Sequence, residues 1–258
     1  MFKQNLADVE DLINNGEFKT IGFQYTLMYM ARLFSQADFL AHKIMKLTGT
    51  VFSRYEVQQV FEAFTIKTLC DWEWYIEKMI CECLKTDTSK LANQLSLNLP
   101  KKITTDECIA YLNGLGYFDL KGASNLKAIS KKILIDSQNP FLNLNKDTCK
   151  RIDDYYIIRN YIAHRSNKSK KSLITMYARY QQDKFIEAGD FLLSVDRSKN
   201  NLHIQLFESS FWLTSYNIME FLYPKTYSWI MGEEDVYNDK CQARFYKLIE
   251  LSPNIPKP

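Results

Sequence analysis

The 258-residue chain carries 33 Lys and Arg against 30 Asp and Glu, so its formal net charge of +3 excludes a globally basic nucleic-acid surface and allows only a local one. Hydrophobic residues at 46% and aromatics at 14% exclude disorder as the main state, while 8 Gly and 6 Pro supply few turns and favour long helices over a many-stranded sandwich. No window approaches the ~18 uncharged apolar residues of a membrane span, and Met1-Phe2-Lys3-Gln4-Asn5 does not read as a signal peptide, so a soluble, cytoplasmic protein without a membrane partner is expected.

Residues 1–16 read as a short amphipathic leader closed by Asn14-Asn15-Gly16. A helical pattern then runs from about Phe23 to Leu47 through Leu27, Met30, Phe34, Ala37, Leu40, Ile44 and Leu47, and stops before Gly49. Ser53, with Glu56 three positions on, has the form of a capping box. The helix it opens keeps a 3.6-residue period through Val57, Val60, Phe61, Phe64, Trp72, Ile76, Met79 and Cys83, with Thr68 as the polar interruption.

Residues 85–144 change character. Thr, Ser, Asn, Lys and three glycines break the periodicity into shorter helices near 105–113 and 124–136, ending at Asn139-Pro140. Their apolar residues are too few for an independent core, so the segment reads as an insertion on one domain spanning 1–258. A helix starts at about Asn145, with Lys146-Asp147 in its first turn, and runs to His164; the basic stretch Arg165–Lys171 then reads as a loop or an exposed helix start. Phe191–Val195 and Leu202–Leu206 flank the turn-rich Asp196–Asn201 and predict a β-hairpin over about 190–206. A last helix is expected over about 209–222, ending before Pro224, with a Pro-rich tail from Ser252. The core helices, about 23–84, 145–164 and 209–222, make the predicted fold mainly α: a helical bundle with an insertion and a small hairpin.

Six cysteines are scattered along the chain, and reduced thiols are the default reading without a secretory context. Cys81 and Cys83 sit two apart on a helix and point to opposite sides, so they cannot hold one metal together there. With 3 His and no ligand-spaced cluster, neither a metal nor another cofactor is expected.

One segment concentrates reactive side chains: Arg159-Asn160-Tyr161-Ile162-Ala163-His164. Asn160 and His164 are four apart and share a helix face, which Arg159 flanks at about 100° around the axis. These residue types suit cleavage of RNA by its own 2′-hydroxyl. A histidine can take or give a proton near neutral pH, and an arginine clamps phosphoryl oxygens with a permanent charge. An amide can hold the imidazole tautomer or donate to phosphate. The plainer alternative has Arg159 paired with an acid and His164 capping the helix C-terminus, where a cationic side chain suits the dipole.

Arg159-Asn160-x-Ile162-Ala163-His164 resembles the arginine–polar–spacer–histidine signature of the HEPN superfamily (higher eukaryotes and prokaryotes nucleotide-binding). Leu69-Cys70-Asp71-Trp72-Glu73-Trp74-Tyr75-Ile76 is similar to the aromatic-Glu segment of its ribonuclease-like branches in bacterial defence systems. The likeness covers the bundle helices, about half of the chain, and leaves out 85–144, the hairpin and the termini. It implies a homodimeric helical bundle with two motifs facing one cleft, and a metal-independent endoribonuclease of a toxin–antitoxin or anti-phage system, controlled by an antitoxin or sensor protein. Carried over by position, Arg159 and His164 match the signature pair, Asn160 its polar neighbour and Glu73 the acid that would orient them. Two departures stand out: Arg165 follows the histidine where glycine is common in the family, and Ser166 stands where one branch has a tyrosine that can be nucleotidylated.

The bland readings compete with these at several positions. Glu73 shares a stripe with Glu62 and Glu77, and such stripes are ordinarily solvated. Trp72 and Trp74 read as core or dimer surface before base-stacking platforms. Arg165, Lys168, Lys170 and Lys171 form either a solvated loop or an RNA-backbone contact beside His164. His42 and His203 are read as having no chemical role. A catalytically inactive nucleotide-binding, RNA-binding or protein-interaction scaffold with the same fold is the competing function.

Overall fold

A computed structural model describes residues 21–114, 119–196, 200–224 and 227–228. The expected leader and the Pro-rich tail lie outside the described residues. The first helix among the described residues, α1 (Ile21–Asp38), runs on as π-helical turns over Phe39–Ile44 and one α turn over Met45–Leu47. Met30, Leu40 and Ile44 along it are buried, as the periodicity requires, while the terminal Leu47 is exposed.

The second helix, α2 (Arg54–Leu84), begins where the capping box predicts. Ser53 Oγ accepts from the Glu56 N–H at 3.3 Å, and Glu56 Oε2 accepts from the Ser53 N–H at 2.7 Å. Thr68, the expected interruption of its apolar stripe, is buried and donates to Gln36 Oε1 at 2.6 Å; Gln36 in turn donates to Asp71 Oδ2 at 2.6 Å. This short polar seam fixes the register of α1 on α2, because sliding either helix would leave buried groups unpaired.

The insertion consists of α3 (Ser89–Leu95), α4 (Thr105–Gly114), α5 (Ala123–Ile133) and two 3₁₀ turns at Asp136–Gln138 and Pro140–Asn143. It closes onto the bundle: α4 packs on α2, α5 on the next long helix, and Leu91, Leu112, Leu126 and Phe141 join the same core as the bundle residues. That next helix, α6 (Lys146–His164), is N-capped by Asn145, whose Oδ1 accepts from the N–H groups of Asp147 and Thr148 at 2.8 and 3.2 Å. A second capping box at Ser166 starts α7 (Asn167–Ala178), so the basic stretch is largely its exposed opening turn.

The predicted hairpin is present but far shorter than about 190–206, and its extent is the main correction. Phe191–Leu193 belong to a short helix, α8 (Ala188–Leu193), and His203–Leu206 form the first turn of α9 (His203–Leu222), which starts six residues before the predicted position. Only Val195–Asp196 (β1) and Asn201–Leu202 (β2) pair, antiparallel, with Val195 opposite Leu202. Short apolar runs do not distinguish a strand from a buried helical turn, and here Phe191, Leu192, Ile204 and Leu206 are buried against the bundle in helical geometry.

Four helices meet in one aromatic cluster. Tyr29 of α1 stacks on Tyr75 of α2 at 4.4 Å, Trp72 of α2 meets Phe211 of α9 edge-on at 5.4 Å, and Phe211 meets Tyr155 of α6 at 5.4 Å. These pairs add ~0.5–1.5 kcal/mol each beyond the area they bury. The result is a mainly helical bundle of α1, α2, α6 and α9, with α7 and α8 packed on its flank. No described helix is long and apolar enough to cross a membrane.

Candidate active site

The α6–α7 corner brings the motif to the surface. His164 is the last residue of α6 and is exposed, as is Asn160, while Arg159 is half-buried. Arg165 then closes the helix in the left-handed region, at φ 44°, and its N–H reaches Tyr161 O at 2.8 Å. Ser166 immediately caps α7, its Oγ accepting from the Ser169 N–H at 3.1 Å. With only Arg165 and Ser166 between two capped helices, His164 sits on a fixed corner.

Arg159 Nη1 donates to Asn160 Oδ1 at 3.1 Å and, among the described residues, is ion-paired to no acid, unlike in the plainer alternative. The His164 imidazole makes no hydrogen bond among the described residues, so Asn160 orients Arg159 and does not bond to His164.

Glu73 lies on α2 beside the motif helix. Its Oε1 accepts from the Tyr156 hydroxyl at 3.0 Å, one turn before Asn160. Burial lifts the Glu73 carboxyl above its ordinary range, against the opposing pull of the Tyr156 hydrogen bond and the Arg159 charge. Glu73 therefore touches the motif through Tyr156 and acts on Arg159 through its field.

A second acid was not singled out by sequence reasoning. Glu62 Oε2 pairs with Arg165 Nη2 at 2.9 Å, and its Oε1 accepts from the Gly189 N–H at 3.2 Å. The Glu62 side chain is 6% exposed and that of Arg165 54%, so one buried carboxylate ties the motif corner to α2 and α8. Glu62 was placed only in a solvated stripe, and the 103 residues separating the partners hide the pair from any local pattern.

The basic residues divide into two kinds. Arg165 is committed to Glu62, and Lys170 Nζ lies 3.9 Å from the Phe185 ring centre. Lys168 and Lys171 are exposed, with no acidic partner among the described residues. Trp72 is buried in the aromatic cluster, and Trp74 lies under the Arg32 guanidinium at 4.4 Å. Among the described residues no three His, Cys, Asp or Glu side chains gather as a metal-binding group. No family model, no curated protein and no solved structure matches the chain.

Proposed function

We propose that the protein is a metal-independent endoribonuclease that cleaves RNA by 2′-hydroxyl attack, acting as a homodimer in a toxin–antitoxin or anti-phage system. The observation that carries this reading is the α6–α7 corner: an arginine held by an amide and an unpartnered, exposed imidazole on one rigid helix end. The resemblance of the segment to the HEPN signature supplies the reaction class and the dimer.

The chemistry follows from the side chains. One imidazole takes the 2′-hydroxyl proton as the 2′-oxygen bonds to phosphorus. The Arg159 guanidinium holds the two equatorial phosphoryl oxygens as their charge grows. The bond from phosphorus to the 5′-oxygen breaks, and a second imidazole protonates that oxygen. Each chain contributes a single histidine at this corner, so the acid and the base come from two copies facing one groove. Asn160 positions Arg159, and Glu73, bonded to Tyr156 on the same helix, acts on Arg159 through its charge. Lys168 and Lys171 attract the RNA backbone, and the positive N-terminal end of α7 adds to that field. Arg165 acts as a strut for the corner.

The test is incubation of purified protein with single-stranded RNA in excess chelator, followed by mapping of the ends. The reading requires 5′-hydroxyl and 2′,3′-cyclic phosphate ends. Intact RNA across a range of protein concentrations refutes it and leaves the scaffold function.

A further inference from the structure

A polar pocket of about 200 Å³ opens between the C-terminal end of α7 and the start of α9, with Arg179, Tyr180, Gln182, Ser194 and His203 in its wall. His203, read from the sequence as having no chemical role, is 4% exposed. Its ring stacks on Phe191 at 4.2 Å and meets Tyr180 edge-on at 5.4 Å. This packing fixes the ring plane, so each nitrogen keeps the surroundings it has.

Nδ1 lies 3.0 Å from both Ser194 O and Ser194 Oγ. Ser194 Oγ already donates to Phe191 O at 2.7 Å, and Ser194 O can only accept, so the ring proton belongs on Nδ1. Burial lowers the imidazole below its ordinary range, which keeps the ring neutral near pH 7. Nε2 is then a bare acceptor, buried, with no hydrogen-bond partner among the described residues. Asp196 Oδ2 stands 4.0 Å from it, outside hydrogen-bond range, and Asp196 has an interaction partner of its own, so it neither satisfies Nε2 nor counts as a free group. A buried nitrogen with an unmade hydrogen bond is unfavourable, and at a pocket wall it points to a ligand that brings an N–H or O–H.

Arg179 supplies the complementary chemistry. Its Nη2 is paired with the buried Asp154, which also accepts from the Tyr180 hydroxyl at 2.9 Å, and this pairing offsets the guanidinium charge. Nε and Nη1 make no hydrogen bond among the described residues, so the arginine meets the pocket as a neutralised pair with donors to spare. The other side-chain donors of these wall residues are committed: the Tyr180 hydroxyl to Asp154, Ser194 Oγ to Phe191 O and Gln182 Nε2 to Lys184 O. The wall therefore calls for one donor, at His203, and one acceptor, at Arg179. A cis-amide edge places an N–H directly beside a C=O and supplies both from one planar group. A carboxylate has no proton for Nε2, and an ammonium has no acceptor for Arg179. We propose that this pocket binds a small neutral cyclic amide or imide, whose N–H donates to His203 Nε2 and whose C=O accepts from Arg179. The site is independent of the α6–α7 corner and of the proposed ribonuclease.

The test follows the His203 imidazole nitrogens of the full chain by NMR at about pH 7. In the free protein Nδ1 is expected to carry the proton and Nε2 to be bare. 1-Methyluracil, whose single N–H lies between two carbonyls, is expected to shift the Nε2 resonance with a Kd on the order of 1 mM, as suits so small a probe. 1,3-Dimethyluracil, with a methyl in place of that N–H, is expected to bind at least about tenfold more weakly, and acetate and propylammonium to leave Nε2 in place. Arg179→Lys, which keeps a cation for Asp154, is expected to weaken 1-methyluracil binding about tenfold, the share of one charge-assisted hydrogen bond. His203→Phe, which keeps the stack on Phe191, is expected to abolish it. A proton on Nε2 in the free protein, no shift with 1-methyluracil, equal affinity for the two uracils, preferential binding of acetate or propylammonium, or undiminished binding by a folded Arg179→Lys protein each overturns the assignment.

Discussion

Replacing Arg165 with glycine sets two effects against each other at the α6–α7 corner. The left-handed backbone at φ 44° costs a non-glycine residue ~1–2 kcal/mol, which glycine does not incur. Glycine returns ~0.5–1 kcal/mol of that gain through the greater freedom of its unfolded chain. The side chain works in the other direction. Arg165 supplies a charge-assisted hydrogen bond at 2.9 Å to Glu62, a carboxylate with 6% side-chain exposure that would keep only the Gly189 N–H. Such a bond contributes ~1.5–3 kcal/mol, reduced to about 1–2 kcal/mol here because the guanidinium is half in water. The net expectation for Arg165→Gly is a loss of about 1 kcal/mol, or about 2–4 °C in Tm for a chain of this size. Glu62→Gln is expected to cost a similar amount, and the Glu62→Gln/Arg165→Gly double change less than the sum, with a coupling of about 1 kcal/mol. Urea unfolding of the four proteins, compared at constant m-value, measures the cycle. An Arg165→Gly protein as stable as the parent, or strictly additive effects, would refute the strut.

Three further outcomes follow from particular side chains. Glu208 is buried on α9, and burial pushes its carboxyl up to about 8. The unfolded chain releases this proton from about pH 4.5 upward while the folded chain keeps it, so this group's contribution to stability falls by ~1.4 kcal/mol per pH unit between about 4.5 and 8; Glu208→Gln should flatten that part of the pH–stability curve, and an unchanged slope would contradict the assignment. At Gly189 an added Cβ would meet the Gln58 Cβ at 2.8 Å and its backbone at 3.0 Å, so Gly189→Ala is expected to lift α8 off α2 and cost ~1–3 kcal/mol, read by thermal unfolding. Removing Lys168 and Lys171 together should weaken RNA binding and reduce the slope of log K against log salt by ~0.7 for each phosphate that is no longer neutralised, measured by fluorescence anisotropy; an unchanged slope would place the RNA path elsewhere.

The local signals along the chain were legible and the long-range ones were not. The Ser53–Glu56 box, the Lys146-Asp147 first turn and the 3.6-residue stripes are short-range chemistry, and they mark α2 and α6 within a residue of their observed starts. The exposed end of α6 was legible for the same reason, and with it the placement of Asn160 and His164. Phe191-Leu192-Leu193 and His203–Leu206 read as strands because short apolar runs carry no period long enough to separate the two structures, and tertiary burial decides between them. The Gln36–Thr68–Asp71 seam, the Glu62–Arg165 pair and the His203 pocket join side chains that only the fold brings together. Arg165 is an intermediate case. The glycine common at its position in the resembling family suits the left-handed backbone seen here, whereas the ion pair that holds an arginine there depends on a helix far away in sequence.

The most direct measurement is the rate of RNA cleavage in chelator by the parent protein and by His164→Ala, with fold and RNA affinity checked in parallel. The account predicts that the parent cuts, and that His164→Ala keeps its helical content and its RNA binding while losing cleavage by a factor of at least ~10². A His164→Ala protein that cuts at the parent rate would remove the imidazole from the chemistry and contradict the account.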